Sequence, residues 1–393
     1  MVVSTSSRSS WLAVLSLATG TFALVTTEFL PIGLLSDIAN DFAKSPGSTG
    51  ILVTTPGIVA AIVAPLCTVF AGSIDRRLLL VSFTLLLVLS NLIVATSSSF
   101  EMAITGRALL GVSVGGFWTF AAAVGRRLVE THQGNRAISV VMTGISVGTV
   151  VGVPLGSALG GLLGWRSAFI AVAALCLSVL LFQVAVLPKI TMTTSQSFKG
   201  LADTIRDRKL VIAFAAIALA ACGHFTAYTY LEPHLVHDVG ADTTTLGWML
   251  AIFGAAGIVG TFIGERVASR NPPAGTSLVA LIMAASILMS ILVVSNLLYE
   301  AIAVALWGAA FGAIPVCVQL WTFTAYPDRF ETSSALMVTV FQIALAAGSL
   351  VGGLLTDTWG IPAAFMAATA FGIICSLLSI SASLKTFTRS QEI

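Results

Sequence analysis

Two ionisable residues inside the apolar segments of this sequence could carry proton chemistry. Glu28 lies deep in the first apolar segment, and Arg107 lies near the start of the fourth. A carboxyl group in an apolar medium either keeps its proton or pairs with a cation, because an isolated charge there is costly. Glu28 and Arg107 are expected at a similar depth in the membrane. The sequence therefore predicts a Glu28–Arg107 pair in which Glu28 takes up and releases a proton and Arg107 responds to its charge.

Other roles for Glu28 remain open on the sequence alone. Its carboxyl group could form a static polar latch, cap a kink ahead of Pro31, or lie exposed at the membrane surface. Arg107 is expected to face the interior of a helix bundle, since intramembrane arginines rarely face lipid. The other acidic residues are interpreted mostly as surface groups. Glu232, which precedes Pro233 at the end of the seventh apolar segment, is expected at the membrane interface.

A second group of residues has the chemistry to bind a small planar molecule. His224 and Tyr228 are four residues apart, so they share one face of a helix, and Phe225 lies beside that face. These side chains could stack on and hydrogen-bond a base or a sugar, or they could be ordinary packing residues. Four further candidates for the same cavity are Trp118, Gln319, Trp321 and Gln342. The two glutamines are expected to point inward, because an amide in lipid needs a hydrogen-bond partner.

Enzymatic and cofactor-binding patterns are absent from the sequence. It has no phosphate-binding loop, no dinucleotide-binding glycine pattern, no zinc-ligand spacing and no nucleophile elbow. The five cysteines fall in apolar runs without paired spacing, which is typical of packing residues. The basic residues are not interleaved with aromatic ones, so nucleic-acid binding is not expected. We therefore expect a protein that is not an enzyme, with no metal and no organic cofactor.

Membrane-spanning helices must position these residues. The chain of 393 residues is 57% apolar and only 9% charged, whereas soluble domains are about 25% charged. Its apolar stretches are long enough to cross a bilayer, and the twelve predicted spans are residues 11–36, 49–72, 78–96, 102–125, 138–161, 167–188, 210–232, 246–265, 275–296, 301–325, 333–355 and 362–384. The first span lacks a small-residue cleavage site, so it is expected to be retained rather than removed as a signal peptide.

The basic residues orient these spans. With the N-terminus in the cytoplasm, all of the nineteen lysines and arginines except Lys44, Arg107 and Arg166 fall on the cytoplasmic side. So strong a bias predicts that both termini are cytoplasmic and that the number of spans is even.

The chain also predicts two related halves. A polar link at 189–209 separates an N-terminal bundle of six helices, 1–188, from a C-terminal bundle of six helices, 210–393. The run GGLLGWRSAF at 160–169 has a counterpart in GGLLTDTWGIPAAF at 352–365. Two such halves with the same orientation are the parallel repeat of one transporter architecture, in which substrate binds between the halves near the middle of the membrane.

The fifth span contains six glycines at a spacing of four residues, which we call the glycine ridge: Gly144, Gly148, Gly152, Gly156, Gly160 and Gly164. Such a row forms a groove without side chains along one side of a helix, so another helix can approach closely. Pro154 is expected to kink this span. We expect the two bundles to press together and slide along this groove.

These motifs resemble those of the major facilitator superfamily over the whole chain. The antiporter members of that superfamily have a glycine-rich fifth helix with a proline kink, matched here by the first four glycines of the ridge and Pro154. Arg107 with Gly111 and Gly115 matches the arginine motif of the fourth helix. The resemblance implies an all-α membrane fold of twelve helices in two pseudo-symmetric bundles of six.

The family's motif between the second and third helices is reduced here to Gly72 and the run Asp75-Arg76-Arg77. The resemblance implies a gating role for these three charged residues. It also implies gating or packing roles for the glycine ridge. Val153 separates Gly152 from Pro154, where the family has glycine directly before proline.

Three stretches are most similar to one branch of the drug:proton antiporters, the arabinose-efflux-like branch: TTEFLPIGLLSDIA at 26–39, GRALLGVSVGGFW at 106–118 and HFTAYTYLEP at 224–233. The last two look closest to exporters of purine ribonucleosides. The resemblance implies a monomeric antiporter of a bacterial inner membrane that exports a small solute against protons. Purine ribonucleosides are the first expectation; sugars, drugs or a proton-coupled importer are the alternatives, and a membrane-bound enzyme or receptor is disfavoured.

Overall fold

The computed structural model describes residues 7–72, 74–190, 208–292, 296–325 and 330–391, and these residues form helices and connecting turns without a strand. Within them, twelve helical spans are long and apolar enough to cross a membrane: α1 Ser10–Asp41, α2 Pro46–Cys67, α3 Arg76–Ala95, α4 Phe100–Arg127, α5 Arg136–Leu163, α6 Trp165–Val186, α7 Leu210–Tyr228, α8 Thr243–Ala268, α9 Pro272–Leu292, α10 Leu297–Thr322, α11 Leu336–Trp359 and α12 Ile361–Leu384. The predicted all-α membrane fold with twelve spans is confirmed. Most of the predicted link, 191–207, lies outside the described residues.

The first span changes its helical geometry near Pro31. An α-helix over Ser7–Phe29 gives way to a 3₁₀ turn over Leu30–Leu34 and then to a short α-helix over Leu35–Asp41. A proline lacks the N–H that would continue the α-helical hydrogen bonds, and its ring crowds the preceding turn. The chain therefore tightens at this point, directly after Glu28.

The fifth span is interrupted in a related way. A π-helical turn over Gly148–Gly152 precedes the α-helix Val153–Leu163, which has Pro154 in its first turn. A π-turn widens the helix by one residue and is a recognised cause of kinks. The interruption that Pro154 predicted is therefore observed as a wide turn on its N-terminal side. Gly164 ends the span at a φ of 87°, a conformation that L side chains rarely adopt.

The glycine ridge packs against α1 from Gly144 to Gly160, whereas a Cβ added at Gly164 would have no atom of the other described residues close to it. A Cβ added at Gly144 would meet the Ala18 carbonyl oxygen, and one added at Gly152 would meet the Thr26 hydroxyl. The next glycines of the ridge face leucines of the same span, Gly156 facing Leu30 and Gly160 facing Leu34. The expectation that this groove is where the two bundles press together is wrong, because the helix that occupies it is the first span of the same half.

The chain forms two compact units. The first contains Met1–Phe42 and Thr55–Gln196, and the second contains Ala43–Thr54 and Ser197–Ile393. In the first unit, α1 packs on α5 and α6, and α3 packs on α4 and α6. In the second, α8 packs on α10, and α7 and α9 both pack on α12. The sequence places residues 43–54 in the N-terminal bundle, whereas their contacts place them in the second unit.

Asp357, near the end of α11, explains the placement of residues 43–54. Its carboxylate accepts hydrogen bonds from the Ser45 hydroxyl at 2.6 Å and from the Gly47 N–H at 3.0 Å. Gly47 lies in the first turn of a short helix, where backbone N–H groups lack partners within the helix. The Ser349 hydroxyl adds a hydrogen bond to the Gly50 carbonyl at 3.2 Å. These hydrogen bonds attach the start of α2 to α11.

Side-chain caps begin several other spans. Asp75 caps α3, Ser99 caps α4, and Asp242 caps α8 by accepting from the Thr245 N–H at 2.8 Å. Hydrogen bonds from Thr245 hold the pKa of the Asp242 carboxyl below its ordinary value. Each cap satisfies an N–H group that has no intrahelical acceptor, which fixes where the span starts.

Candidate functional site

Glu28 and Arg107 are both buried in the core of the first unit. Glu28 is 4% exposed, and Arg107 is 0% exposed. Arg107 donates from Nη1 to the Thr27 carbonyl at 2.7 Å and from Nη2 to the Glu28 carbonyl at 2.6 Å. The structure therefore brings the two predicted residues together through the backbone of α1. An exposed Glu28 at the membrane surface, one of the alternatives, is wrong.

Pro31 explains why a guanidinium group is needed at these carbonyl groups. In a continuous α-helix, the N–H of residue 31 would donate to the Thr27 carbonyl, but proline has no N–H. A buried carbonyl without a donor is destabilising, and Arg107 supplies the missing hydrogen bond. Sequence reasoning missed this contact. The available signal was the four-residue separation of Thr27 and Pro31 together with an arginine in another span.

A polar network continues from Thr27 into neighbouring spans of the first unit. The Asn91 amide of α3 donates to the Thr27 hydroxyl at 3.1 Å and to the Leu87 carbonyl at 2.9 Å. The thiol of Cys176, in α6, lies 3.7 Å from the Thr27 hydroxyl. Such hydrogen bonds join helices inside a bundle. They hold the α1 segment that carries Glu28 in a fixed position.

The reduced loop motif joins the start of α3 to the end of α6. The guanidinium group of Arg76 is buried, donates to the Ala71 and Gly72 carbonyls at 3.1 and 2.9 Å, and lies 4.8 Å from the Phe120 ring. Asp75 accepts from the Ile190 N–H at 2.9 Å. In a separate contact, Arg77 donates to the carbonyl of Val184 at 2.6 Å. These contacts supply a structural role for Asp75, Arg76 and Arg77, and their gating role stays a prediction.

Gly111 and Gly115 of α4 allow α2 to approach closely. A Cβ at Gly111 would lie 2.7 Å from the Pro56 carbonyl oxygen, and a Cβ at Gly115 would lie 2.8 Å from that of Ala60. Both distances are too short for a real methyl group, so only glycine fits. The arginine motif therefore combines a buried cation at one end of α4 with a close helix contact along it.

In the second unit, His224 lies within a buried aromatic cluster. Its ring stacks on Phe311 with centroids 3.4 Å apart and on Tyr228 with centroids 4.7 Å apart. Phe253 and Trp307 complete the cluster at 5.8 and 5.7 Å from His224. His224 is 1% exposed and Tyr228 is 5% exposed. The shared helix face that the sequence predicted for His224 and Tyr228 is therefore directed into the interior of the unit.

The hydrogen bond of His224 determines which ring nitrogen carries the proton. Trp307 donates from Nε1 to His224 Nδ1 at 3.1 Å. An imidazole that accepts at Nδ1 carries its hydrogen on Nε2. His224 Nε2 has no hydrogen-bond partner among the described residues. The cluster thus presents one buried N–H donor for which the described residues supply no acceptor.

The other predicted cavity residues occupy different environments. Gln342 and Trp321 are 4% and 7% exposed, and Trp118 is half-buried. Gln319 is exposed, so the inward orientation expected for both glutamines is supported for Gln342 alone. Glu232, expected at the membrane interface, is 4% exposed and is therefore buried within the second unit.

Sequence reasoning also missed two buried ionisable residues of the second unit, His234 and Glu300, which are 1% and 0% exposed. Both lie at the ends of apolar segments, where a charged group is usually exposed. The one signal in the sequence was the spacing of His234 and Asp238, which are four residues apart. No three or more His, Cys, Asp or Glu residues are arranged to hold a metal ion in the part of the chain that the structure describes.

The fold can now be compared with known proteins. A family model described as Major Facilitator Superfamily matches residues 17–348 and 213–390. This chain belongs to the major facilitator superfamily. The expectation drawn from the glycine ridge and from the arginine motif of α4 is confirmed at that level, and the protein is a multi-pass membrane protein of a transporter family.

One relative is a Pseudomonas aeruginosa protein named transcription regulatory protein OpdE, which is 33% identical to this chain over 375 residues. The match covers 94% of this chain and 93% of the relative. A Salmonella paratyphi B protein named purine ribonucleoside efflux pump NepI is 32% identical over 354 residues, which cover 90% of this chain and 89% of the relative.

Two solved structures share the fold. A bacterial homolog of the human lysosomal transporter Spinster, in an inward-facing and unoccupied conformation, matches with a TM-score of 0.76 at 14% identity over 98% of both chains. The human organic anion transporter MFSD10 (TETRAN) matches with a TM-score of 0.70 at 17% identity over 95% of this chain and 100% of the other. At sequence identities this low, the similarity shows only that the fold is shared.

Proposed function

We propose that this protein is a proton-coupled antiporter of a bacterial inner membrane that exports purine ribonucleosides by alternating access. The observation that carries the proposal is Glu28, an acidic residue that is 4% exposed within an apolar span. Its backbone carbonyl is held at 2.6 Å by the guanidinium group of Arg107. A buried acid next to a fixed cation is the arrangement expected of an intramembrane proton site.

A proton on Glu28 changes the charge balance beside Arg107. When Glu28 is ionised, its charge offsets that of Arg107. When it is protonated, the cation is left uncompensated in a medium of low dielectric constant, where charge interactions are strong. The 3₁₀ turn over Leu30–Leu34 follows directly, and a helix break of this kind is a suitable hinge. Protonation of Glu28 and occupation by substrate would exclude each other, which is the requirement for exchange.

The relatives named purine ribonucleoside efflux pump support this choice of substrate, because they match 90% of the chain at 32% identity. The aromatic cluster of the second unit supports it chemically. A purine is planar, and it has ring nitrogens that accept hydrogen bonds from a donor such as His224 Nε2–H. Trp118, Tyr228, Gln319 and Gln342 stay proposed substrate contacts.

The relative named for transcription regulation gives no reason to propose DNA binding for this chain. An exporter changes the cytoplasmic concentration of its solute, so an effect on gene expression is compatible with export. We therefore propose transport alone.

The proposal is tested in inside-out membrane vesicles that contain the protein and maintain an acidic interior. Inosine, guanosine and adenosine are added one at a time, and a pH-sensitive dye reports the gradient while radiolabelled inosine reports uptake. Purine ribonucleosides should accumulate inside and collapse the gradient. Glu28→Gln should abolish the nucleoside-dependent proton signal, because glutamine has the same shape and cannot ionise.

Glu265→Gln is the matched control, since it makes the same change at an exposed glutamate, and it should leave the signal unchanged. Sugars and cationic drugs are added in the same assay. Gradient collapse with one of these in place of nucleosides would refute the proposed substrate. Nucleoside movement down the proton gradient, in the direction of import, would refute antiport. Undiminished coupling in Glu28→Gln would refute Glu28 as the proton carrier.

A further inference from the structure

A second cluster of ionisable groups lies in the second unit, at the end that the charge pattern predicts to be outside. It is formed by three separate elements. His234 and Asp238 belong to the π-helical turn His234–Asp238, which follows α7. Ser290 lies in the last turn of α9, and Glu300 lies in the first turn of α10. Folding therefore brings together residues that are widely separated in sequence.

Both ring nitrogens of His234 face carboxylates. Nδ1 lies 2.9 Å from Asp238 Oδ2, and Nε2 lies 3.7 Å from Glu300 Oε1. The Ser290 hydroxyl bridges the longer gap, because it lies 3.5 Å from His234 Nε2 and donates a short hydrogen bond to Glu300 Oε1. An imidazole between two acids can accept a proton at one nitrogen and release one from the other.

Solvent exposure decreases along the cluster from Asp238 through His234 to Glu300. The side chain of Asp238 is 34% exposed, that of His234 is 1% exposed, and that of Glu300 is 0% exposed. Asp238 also lines an open cavity of about 480 Å³ whose other lining residues are Val239, Gly240, Ala241, Thr245, Leu292 and Leu297. Water therefore reaches the first group of the cluster, whereas the last group is in the dry interior.

Glu300 is incompletely satisfied in its site. Oε1 accepts from Ser290, but Oε2 has no hydrogen-bond partner among the described residues. A dry carboxylate with a free oxygen is costly to maintain as an isolated charge. Sharing a proton with His234 removes that cost. The arrangement therefore favours a proton within the cluster over three groups that ionise independently.

The remaining neighbours of His234 come from α9, α10, α12 and its own segment. The Phe365 ring of α12 lies 4.8 Å from the His234 ring. From α9 and α10 the polar groups that face it are Ser290 and Glu300, as described above. Along its own segment the nearest ionisable neighbours are Glu232 and His237. Among the described residues, the imidazole contacts include an acid at each nitrogen, the Ser290 hydroxyl and the Phe365 ring.

We propose that Asp238, His234 and Glu300 form a proton-binding relay, separate from Glu28, that carries protons between the open cavity and the interior of the second unit. A proton from water binds the Asp238 carboxylate and moves to His234 Nδ1. The proton on His234 Nε2 then passes through the Ser290 hydroxyl to Glu300 Oε1. One N–H bond forms, one breaks, and Glu300 gains one proton. The relay rests on the proposed function, since it supplies protons for coupling.

Infrared difference spectroscopy of the full-length protein in lipid nanodiscs tests the relay without any substrate. Spectra recorded between about pH 5 and about pH 8, the range in which histidine titrates, should contain a band from a protonated buried carboxyl group. Glu300→Gln should remove a component of that band that Glu28→Gln and Glu265→Gln both retain. A band that persists undiminished in Glu300→Gln would overturn the proposal.

Two milder variants keep the test decisive if Glu300→Gln fails to fold. Asp238→Asn changes a group at the rim of the cavity, and Ser290→Ala removes the bridge while both acids remain. Each should slow protonation of the Glu300 band after a pH jump by at least tenfold. Unchanged rates in both variants would refute the path.

Transport gives a separate outcome. If nucleosides drive proton movement, Ser290→Ala should slow that flux, and unchanged flux would exclude the relay from coupling. If no nucleoside drives proton movement in the unmodified protein, the proposed function fails. The infrared titration then still decides whether the relay exists.

Discussion

The contact between Arg107 and the broken first span leads to a quantitative prediction. Arg107→Met removes a buried guanidinium group that donates to the Thr27 and Glu28 carbonyls at 2.7 and 2.6 Å. Methionine retains much of the length of the side chain but has no donor. The Thr27 carbonyl then has neither Arg107 nor an N–H at position 31, because that residue is Pro31. We expect the first unit to lose stability at this point.

The size of the loss follows from the two hydrogen bonds. A hydrogen bond from a charged donor contributes about 1.5–3 kcal/mol, and the two together give an expected loss of about 3 kcal/mol at the low end of that range. For a domain of about 200 residues this corresponds to a decrease in melting temperature of roughly 6–12 °C. The melting temperature is measured in detergent by intrinsic tryptophan fluorescence.

A double-mutant cycle isolates the role of Pro31. Pro31→Ala restores a backbone N–H that can donate to the Thr27 carbonyl. In the Pro31→Ala protein, Arg107→Met should lower the free energy of unfolding by about 1 kcal/mol less than in the unmodified protein, because the Thr27 carbonyl keeps a hydrogen-bond donor. Any gain in helix propensity from removing the proline cancels in the cycle. Arg136→Met is the control, because it makes the same change at an exposed arginine, and it should shift the melting temperature by little.

Equal losses for Arg107→Met in the two backgrounds would refute the reasoning. Arg107 would then stabilise the first unit through its charge or its packing, and the carbonyl freed by Pro31 would not be what it satisfies. A loss no larger than that of Arg136→Met would refute the contact altogether.

Three further predictions concern packing, capping and tautomer. Gly144→Ala should lower the free energy of unfolding by about 1–3 kcal/mol, because the added Cβ meets the backbone of α1. The control is Gly247→Ala, at a helical glycine with open space around it, which should be neutral or stabilising. Equal melting temperatures for the two variants would contradict this prediction. Asp75→Ala should lower the free energy of unfolding by at least about 1 kcal/mol, because it removes the α3 cap and the acceptor of the Ile190 N–H, and Asp75→Asn should restore much of the loss in the same measurement. Trp307→Phe should remove the donor to His224 Nδ1, and unchanged ¹⁵N chemical shifts of His224 would show that its tautomer does not depend on that bond.

The spans were predictable because their signal is local. Each needs only about twenty consecutive apolar residues, and the predicted first span, 11–36, lies within the observed Ser10–Asp41. The burial of Arg107 was predictable for the same reason, since a charge within such a stretch has to face protein. The contact that Arg107 makes was not, because it depends on the depth at which two distant spans face each other.

The sequence by itself predicted the twelve apolar spans that the described residues contain, the interruption of α5 near Pro154, and the position of Arg107 inside a helix bundle. These properties arise from hydrophobicity and from the missing N–H of proline, which act within one turn of helix. Three features became known only from the tertiary structure. The glycine ridge packs against α1, residues 43–54 belong to the second unit, and His234 lies between Asp238 and Glu300. Those contacts join segments far apart in the chain, and spacing along a sequence carries no information on which helix faces will meet.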